Sequence, residues 1–141
     1  MTMRWISVIA LVIMLMACQP EDAVPTNPVT EVDFNVSQAT LLKKGVLQGI
    51  DHVASGTAHL YDNDGKKFIY FDPFSSQNGP DLKVYLSKDV NASDYIRLGP
   101  LKSTMGMQAY AVPVNCDVTQ YHYVHIWCEK YTVVFARAEI K

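Results

Sequence analysis

Asn63-Asp64-Gly65 separates two short runs, Gly56–Asp62 and Lys66–Asp72, in which aromatic or aliphatic side chains alternate with polar ones. Asp-Gly accepts the left-handed backbone of a tight hairpin turn, so this segment reads as two antiparallel strands. The rest of the chain repeats the pattern. Asp81–Ser87 follows the turn Gln77-Asn78-Gly79-Pro80 and places Leu82, Val84 and Leu86 on one face, with Lys83, Tyr85 and Ser87 on the other. Tyr95–Leu98 stops at Gly99-Pro100, and Met107–Val112 stops before Pro113. His122–Glu129 and Tyr131–Ile140, divided by Lys130, are the runs richest in Val, Ile, Tyr, Phe and Trp. With a first strand near Leu42–Ile50 and no long stretch of helical periodicity, the chain predicts an all-β fold of about eight strands, a sandwich or a closed barrel.

The N-terminus reads as an address rather than as part of that fold. Arg4 precedes an uncharged apolar run over residues 5–17, the layout of a secretory signal. The run is shorter than the about 20 residues that a membrane span needs. It ends at Leu15-Met16-Ala17-Cys18, which resembles the bacterial lipobox, where the cysteine is lipidated and becomes the first mature residue. Residues 1–17 are thus expected to be a signal peptide, and acyl chains on Cys18 are expected to hold the protein on a membrane. Gln19 stands where inner-membrane lipoproteins typically carry Asp. By that resemblance the protein belongs in the bacterial cell envelope, with the periplasmic face of the outer membrane favoured. Residues 19–33 contain Pro20, Pro25 and Pro28 and no hydrophobic period. We therefore expect residues 18–35 to form the lipidated cysteine and a flexible tether, and 36–141 to form the domain.

Composition and missing motifs narrow the chemistry. Hydrophobic residues make up 49% and charged residues 18% of the chain, a globular balance, and the net charge of −2 offers no basic footprint for nucleic acid. No phosphate-binding glycine loop, nucleophile elbow, His-Glu-x-x-His or Cys-x-x-Cys is present. No metal site is expected. The residues after Cys128 lack the His and Met of a blue-copper loop. His122 and His125 are three apart and point to opposite faces of a straight strand, so each reads as a surface or packing histidine. Met105 and Met107 read as core filling. Asp62, Asp64, Asp72 and Asp81 lie beside turns, which already explains them.

Cys128 ends the run Tyr-Val-His-Ile-Trp-Cys and shares a face with Val124 and Ile126. That face reads as core, so Cys128 is either an inert buried thiol or a thiol with a redox or ligand role. An ordered set of residues bears on the choice. It comprises His52, Ser55-Gly56-Thr57-Ala58, Asn78-Gly79-Pro80-Asp81-Leu82-Lys83-Val84-Tyr85-Leu86-Ser87, Leu98-Gly99, Leu101-Lys102, Gly106, Gln108, Tyr110, Pro113, Ile126-Trp127-Cys128 and Val134-Phe135. The set resembles the electron-transfer DM-thirteen domain, the module that accompanies DOMON domains in Skeletor and Knickkopf proteins and also occurs alone in bacterial lipoproteins. The resemblance implies an antiparallel β-sandwich. It also implies a redox role for the family cysteine, here Cys128, as a bare thiol or as a ligand to haem or another prosthetic group. An unidentified redox or envelope protein would then be the partner, with no recognisable catalytic constellation for an enzyme.

Cys116 departs from that pattern. With Cys18 lipidated, Cys116 and Cys128 are left as an even pair in an oxidising compartment, a disulfide candidate if the fold brings their α-carbons within about 7 Å. The alternative function is a non-catalytic glycan- or protein-binding module of the envelope, using exposed aromatics among Tyr61, Tyr70, Tyr123, Trp127 and Tyr131.

Overall fold

The computed structural model describes residues 24–30 and 32–141. The expected signal peptide 1–17 and the lipidation residue Cys18 lie outside the described residues. Eight strands follow in order: β1 (Thr40–Gly49), β2 (Ala54–Asn63), β3 (Lys66–Ser76), β4 (Leu82–Ser87), β5 (Tyr95–Pro100), β6 (Gln108–Ala111), β7 (Tyr123–Cys128) and β8 (Val133–Glu139). Each runs through one of the alternating segments of the sequence. Asp64 and Gly65 both take positive φ in the turn between β2 and β3, as a hairpin of this length requires.

The strands pair antiparallel in one sheet ordered β5-β4-β7-β8-β1-β2-β3-β6. The sheet curls around a single main core, to which Leu47, Leu60, Phe71, Val84, Tyr110, Ile126, Cys128 and Phe135 all contribute. The expected sandwich is therefore one continuous sheet that nearly closes on itself. The segment between β5 and β6 bridges the gap. Leu101 N–H donates to the Leu82 carbonyl, and Ser76 N–H donates to the Thr104 carbonyl. Gln108 ties the same segment down through its amide, which donates to Ser103 O at 3.0 Å, while its Oε1 accepts from the Tyr110 hydroxyl at 2.5 Å.

Register defines two ends. Leu82 pairs with Cys128 at one end of β4 and β7, and Ser87 pairs with Tyr123 at the other. The first end gathers the turns 50–53, 77–81 and 129–132; the second carries the Asp64-Gly65 turn and the loop around Cys116.

Residues 24–30 and 32–35 correct one expectation. Val24 is buried in the main core, and its backbone exchanges two hydrogen bonds with the Asn78 side chain at 3.2 and 2.9 Å. Thr104 N–H donates to the Pro25 carbonyl, and Val29 forms a parallel bridge with Gly106. Phe34 is buried on the outer face of β2 and β3, stacked on Phe68 at 4.5 Å and edge-on to Tyr70 at 5.8 Å. The segment lacks periodicity because it belongs to no amphipathic element. It is a strap whose few apolar residues fill separate hollows, and from Val24 onward it is not a free tether.

Candidate redox site around Cys128

The end of the molecule where Val24 docks also holds most of the residues singled out from the sequence. Cys128 closes β7 with no exposed surface, inside the main core. Period two and the pairing of Leu82, Val84 and Leu86 opposite Cys128, Ile126 and Val124 set its inward direction. Its Sγ–H donates to the Pro80 carbonyl at 2.9 Å. Glu129 N–H donates to the Asp81 carbonyl. The turn 79–81 is thus fastened to the end of β7 on both sides of the sulfur.

The neighbouring motif residues build this lid. Gly79 is required by a close approach: a Cβ there would lie 2.6 Å from Cζ of Phe135. His52 also covers Phe135, its imidazole stacked on the ring at 3.6 Å, with Nδ1 2.9 Å from the Ile50 carbonyl. Asn78 holds the turn through its carboxamide oxygen, which accepts from Gly79 N at 2.8 Å. Asp81 takes φ of 60° and pairs with Lys83. Gly56 and Thr57 stand apart from the thiol. Their strand carries the bulge against β3, where a Cβ on Gly56 would strike the Pro73 carbonyl. The structure therefore brings together His52, Asn78, Gly79, Pro80, Asp81 and Cys128. Gly56 and Thr57 shape the adjoining strands.

Cys116 and Cys128 are both free thiols, which corrects the disulfide candidate. Cys116 lines a hollow of about 420 Å³ together with Lys88, Ile96 and Tyr121, at the Ser87–Tyr123 end. Cys128 is five residues of strand away from that end, about 17 Å at 3.4 Å per residue, well beyond the about 7 Å that a disulfide tolerates. Cys116 is the half-buried thiol of the two, and it is not activated. Burial and then the Asp117 carboxylate push its pKa up, with Lys67 and Lys88 opposing. It is held as the thiol, the less nucleophilic form.

The opposite face of β7 is covered too. His125 has no exposed surface, so of the surface and packing roles open to it from the sequence it takes the packing one. Its Nε2 lies 2.7 Å from Ser87 Oγ, and that hydroxyl donates onward to the Asp89 carbonyl at 2.8 Å. Since Ser87 has one proton and spends it on Asp89, Nε2 carries the hydrogen of a neutral imidazole. Nδ1 is left without a partner. Burial first, then Arg137, lower the His125 pKa to about 4, while the Asp89 backbone and carboxylate oppose. The loop 88–94 makes this cover. Asp89 accepts hydrogen bonds from the backbone of Asn91, Ser93 and Asp94, Ala92 is buried, and Arg137 donates to the Val90 carbonyl at 3.1 Å.

Trp127, next to Cys128, begins a stack of rings. It lies 5.7 Å from Tyr85, and Tyr85 lies 4.1 Å from Tyr95, both nearly parallel. The Tyr85 hydroxyl donates to Glu129 Oε1 at 2.8 Å, and Arg97 Nε donates to the same oxygen at 2.7 Å. Tyr95 is exposed. The aromatics proposed for an interaction surface do not form one. Tyr61 and Tyr70 sit against Phe34 on β2 and β3, Tyr123 and Trp127 sit on β7, and Tyr131 stands on the turn after it.

The family model described as Electron transfer DM13 matches residues 46–140. The chain belongs to this family. The match begins within β1 of the DM13 domain and ends just after β8, so it takes in β2 to β8 and the last four residues of β1. No curated protein and no solved structure matches the chain.

A haem does not fit at Cys128. The cysteine has no exposed surface, lies in the core cluster that includes Leu82, Ile126 and Phe135, and its sulfur hydrogen is engaged by Pro80. Among the described residues no group of three or more His, Cys, Asp or Glu is arranged to hold a metal ion. The pocket beside Trp127, of about 460 Å³, is lined by Tyr85, Asn91, Tyr95 and Glu129 and not by the cysteine. A prosthetic group on Cys128 would need the lid to open and the core to part, exposing the apolar side chains that the fold buries.

Proposed function

We propose that this DM13 domain is an electron-transfer module in which Cys128 acts as a bare thiol, and that acylation of Cys18 holds it on the bacterial envelope, with the periplasmic face of the outer membrane favoured. The carrying observation is the enclosure of Cys128 beneath its own family motif. A thiol with no exposed surface cannot meet the disulfide of a partner, because exchange requires in-line approach of one sulfur to another. An electron and a proton need no such approach. Oxidation passes one electron from the sulfur to an acceptor protein, and the S–H proton leaves past the Pro80 turn to bulk water, the carbonyl orienting the S–H without keeping the proton. Reduction reverses both. The Trp127–Tyr85–Tyr95 stack supports the reading, since it joins the neighbour of Cys128 to an exposed ring in contact-distance steps.

Access tests this reading. Folded protein is exposed either to a small disulfide such as glutathione disulfide or to a one-electron oxidant such as hexachloroiridate, and the remaining thiols are assigned by peptide mass. Cys128 is expected to resist the disulfide and to be consumed by the electron acceptor. Mixed-disulfide formation at Cys128 at the rate of an open thiol would overturn the enclosed-thiol reading. The anchor is tested separately by intact mass of the mature protein, which should begin at an acylated Cys18; a soluble, unmodified N-terminus would overturn that part.

A further inference from the structure

We infer that the Cys128 end of the domain rests on the lipid surface in which the acyl chains of Cys18 are embedded. This inference rests on the anchor reading above. Two separate features place the same end at the membrane.

The first feature is reach. Val24 is fixed in the core and hydrogen-bonded on both sides of its peptide to Asn78, in the turn that covers Cys128. Five residues, 19–23, separate Cys18 from Val24, and the six residue steps between the two span at most about 22 Å even when fully extended. The ten-residue strand β1 is about 33 Å long at 3.3 Å per residue. The anchor is therefore shorter than the domain. It holds the Val24 end close to the bilayer and leaves the Cys116 end as the far pole.

The second feature is the chemistry of that end. Val53, at the close of the β1–β2 turn, is 79% exposed, and Tyr131, in the β7–β8 turn, is 64% exposed. Val133, the first residue of β8 after the same turn as Tyr131, is exposed as well. These turns share the end at which Gly49 pairs with Ala136 and Leu82 pairs with Cys128. An aliphatic side chain and a tyrosine on adjoining turn tips suit the boundary between headgroups and acyl chains, where the tyrosine ring is buried and its hydroxyl stays wet. Asp51 and Lys130 stand in the same turns, so the end carries no single sign of charge and neutral phospholipid is a sufficient partner. One consequence concerns traffic. Pro80 and the lid over Cys128 face the membrane plane, whereas the hollow at Cys116 faces away from it.

The test uses the full mature chain, acylated at Cys18 and reconstituted in phosphatidylcholine vesicles containing a few percent of spin-labelled phosphatidylcholine. A fluorophore is attached through Val53→Cys or Val114→Cys. Both sites are exposed, and Val114 lies in the loop beside Cys116 at the far pole. Cys116→Ser in both variants leaves only the enclosed Cys128 as a native thiol. Vesicle flotation is measured first. Flotation with several-fold stronger quenching at position 53 than at 114 is the expected result. Flotation with equal quenching, or stronger quenching at 114, overturns the orientation and leaves the anchor standing. Acylated protein that does not float removes the anchor and this inference together.

Discussion

The fold should make His125 an acid-sensitive point of stability, and the size of the effect follows from its surroundings. The imidazole is buried as the neutral, Nε2-protonated form between Ser87, Trp127 and the loop 88–94, with Arg137 close by. Its pKa in the folded protein is about 4, against about 6.5 for a histidine in an unfolded chain. Between those values the unfolded chain binds the proton and the folded one does not, so stability falls as pH falls through that window. Going from about pH 7.5 to about pH 4.5, this one group should cost roughly 2–3 kcal/mol of unfolding free energy. The assay is urea unfolding at both pH values for wild type and His125→Gln, in which an amide reaches towards Ser87 without the ability to take up a proton. The carboxylates do not confuse the comparison. Hydrogen bonds from Ser93 and the neighbouring backbone lower Asp89 to about 2, so its contribution is lost below the ordinary carboxylate range and in both proteins alike. Wild type should lose more stability than His125→Gln by the stated amount. Equal losses, or a wild-type His125 NMR resonance that titrates near its ordinary value, would refute the reasoning.

Three further outcomes are expected. Phe34→Ala should destabilise the domain by about 3 kcal/mol, as loss of a buried phenyl ring does, and denaturant unfolding measures it; a change under about 0.5 kcal/mol, the usual scale for surface positions, would mean that the strap is not docked. Gly79→Ala puts a methyl group against Phe135, whose ring His52 already covers, and should cost about 1–3 kcal/mol in the same assay. Intact mass under non-reducing conditions should show Cys116 and Cys128 both unpaired, and a mass lower by two hydrogens would contradict the strand register that separates them.

What the sequence revealed follows the range of the forces involved. The β2–β3 turn was legible because Asp64 and Gly65 accept a backbone that few other residue pairs tolerate. The inward direction of Cys128 was legible because period two holds along β7. Its partner was not, since the Pro80 carbonyl is 48 residues away and a backbone oxygen leaves no mark on residue type. That His125 packs rather than faces solvent was hidden for a related reason. The cover is the loop 88–94, which is held by Asp89 and carries only Val90 and Ala92 as apolar residues, too few to read as a packed element. Val24 and Phe34 were read as tether because isolated apolar residues in a proline-containing segment show no period, although each fills a hollow. The disulfide candidate failed on register. An envelope location with Cys18 acylated would allow the bond, and only the pairing of β4 with β7 places the two thiols at opposite ends.

The account turns on electron transfer at Cys128, and voltammetry of the folded protein tests it most directly. Wild type, Cys116→Ser and Cys128→Ser are compared, with circular dichroism confirming that each is folded. Serine at position 128 keeps a hydrogen-bond donor for the Pro80 carbonyl, which favours folding of that variant. The prediction is a redox couple in wild type and Cys116→Ser that is absent from folded Cys128→Ser. A couple that persists in folded Cys128→Ser, or that disappears with Cys116→Ser, would contradict it.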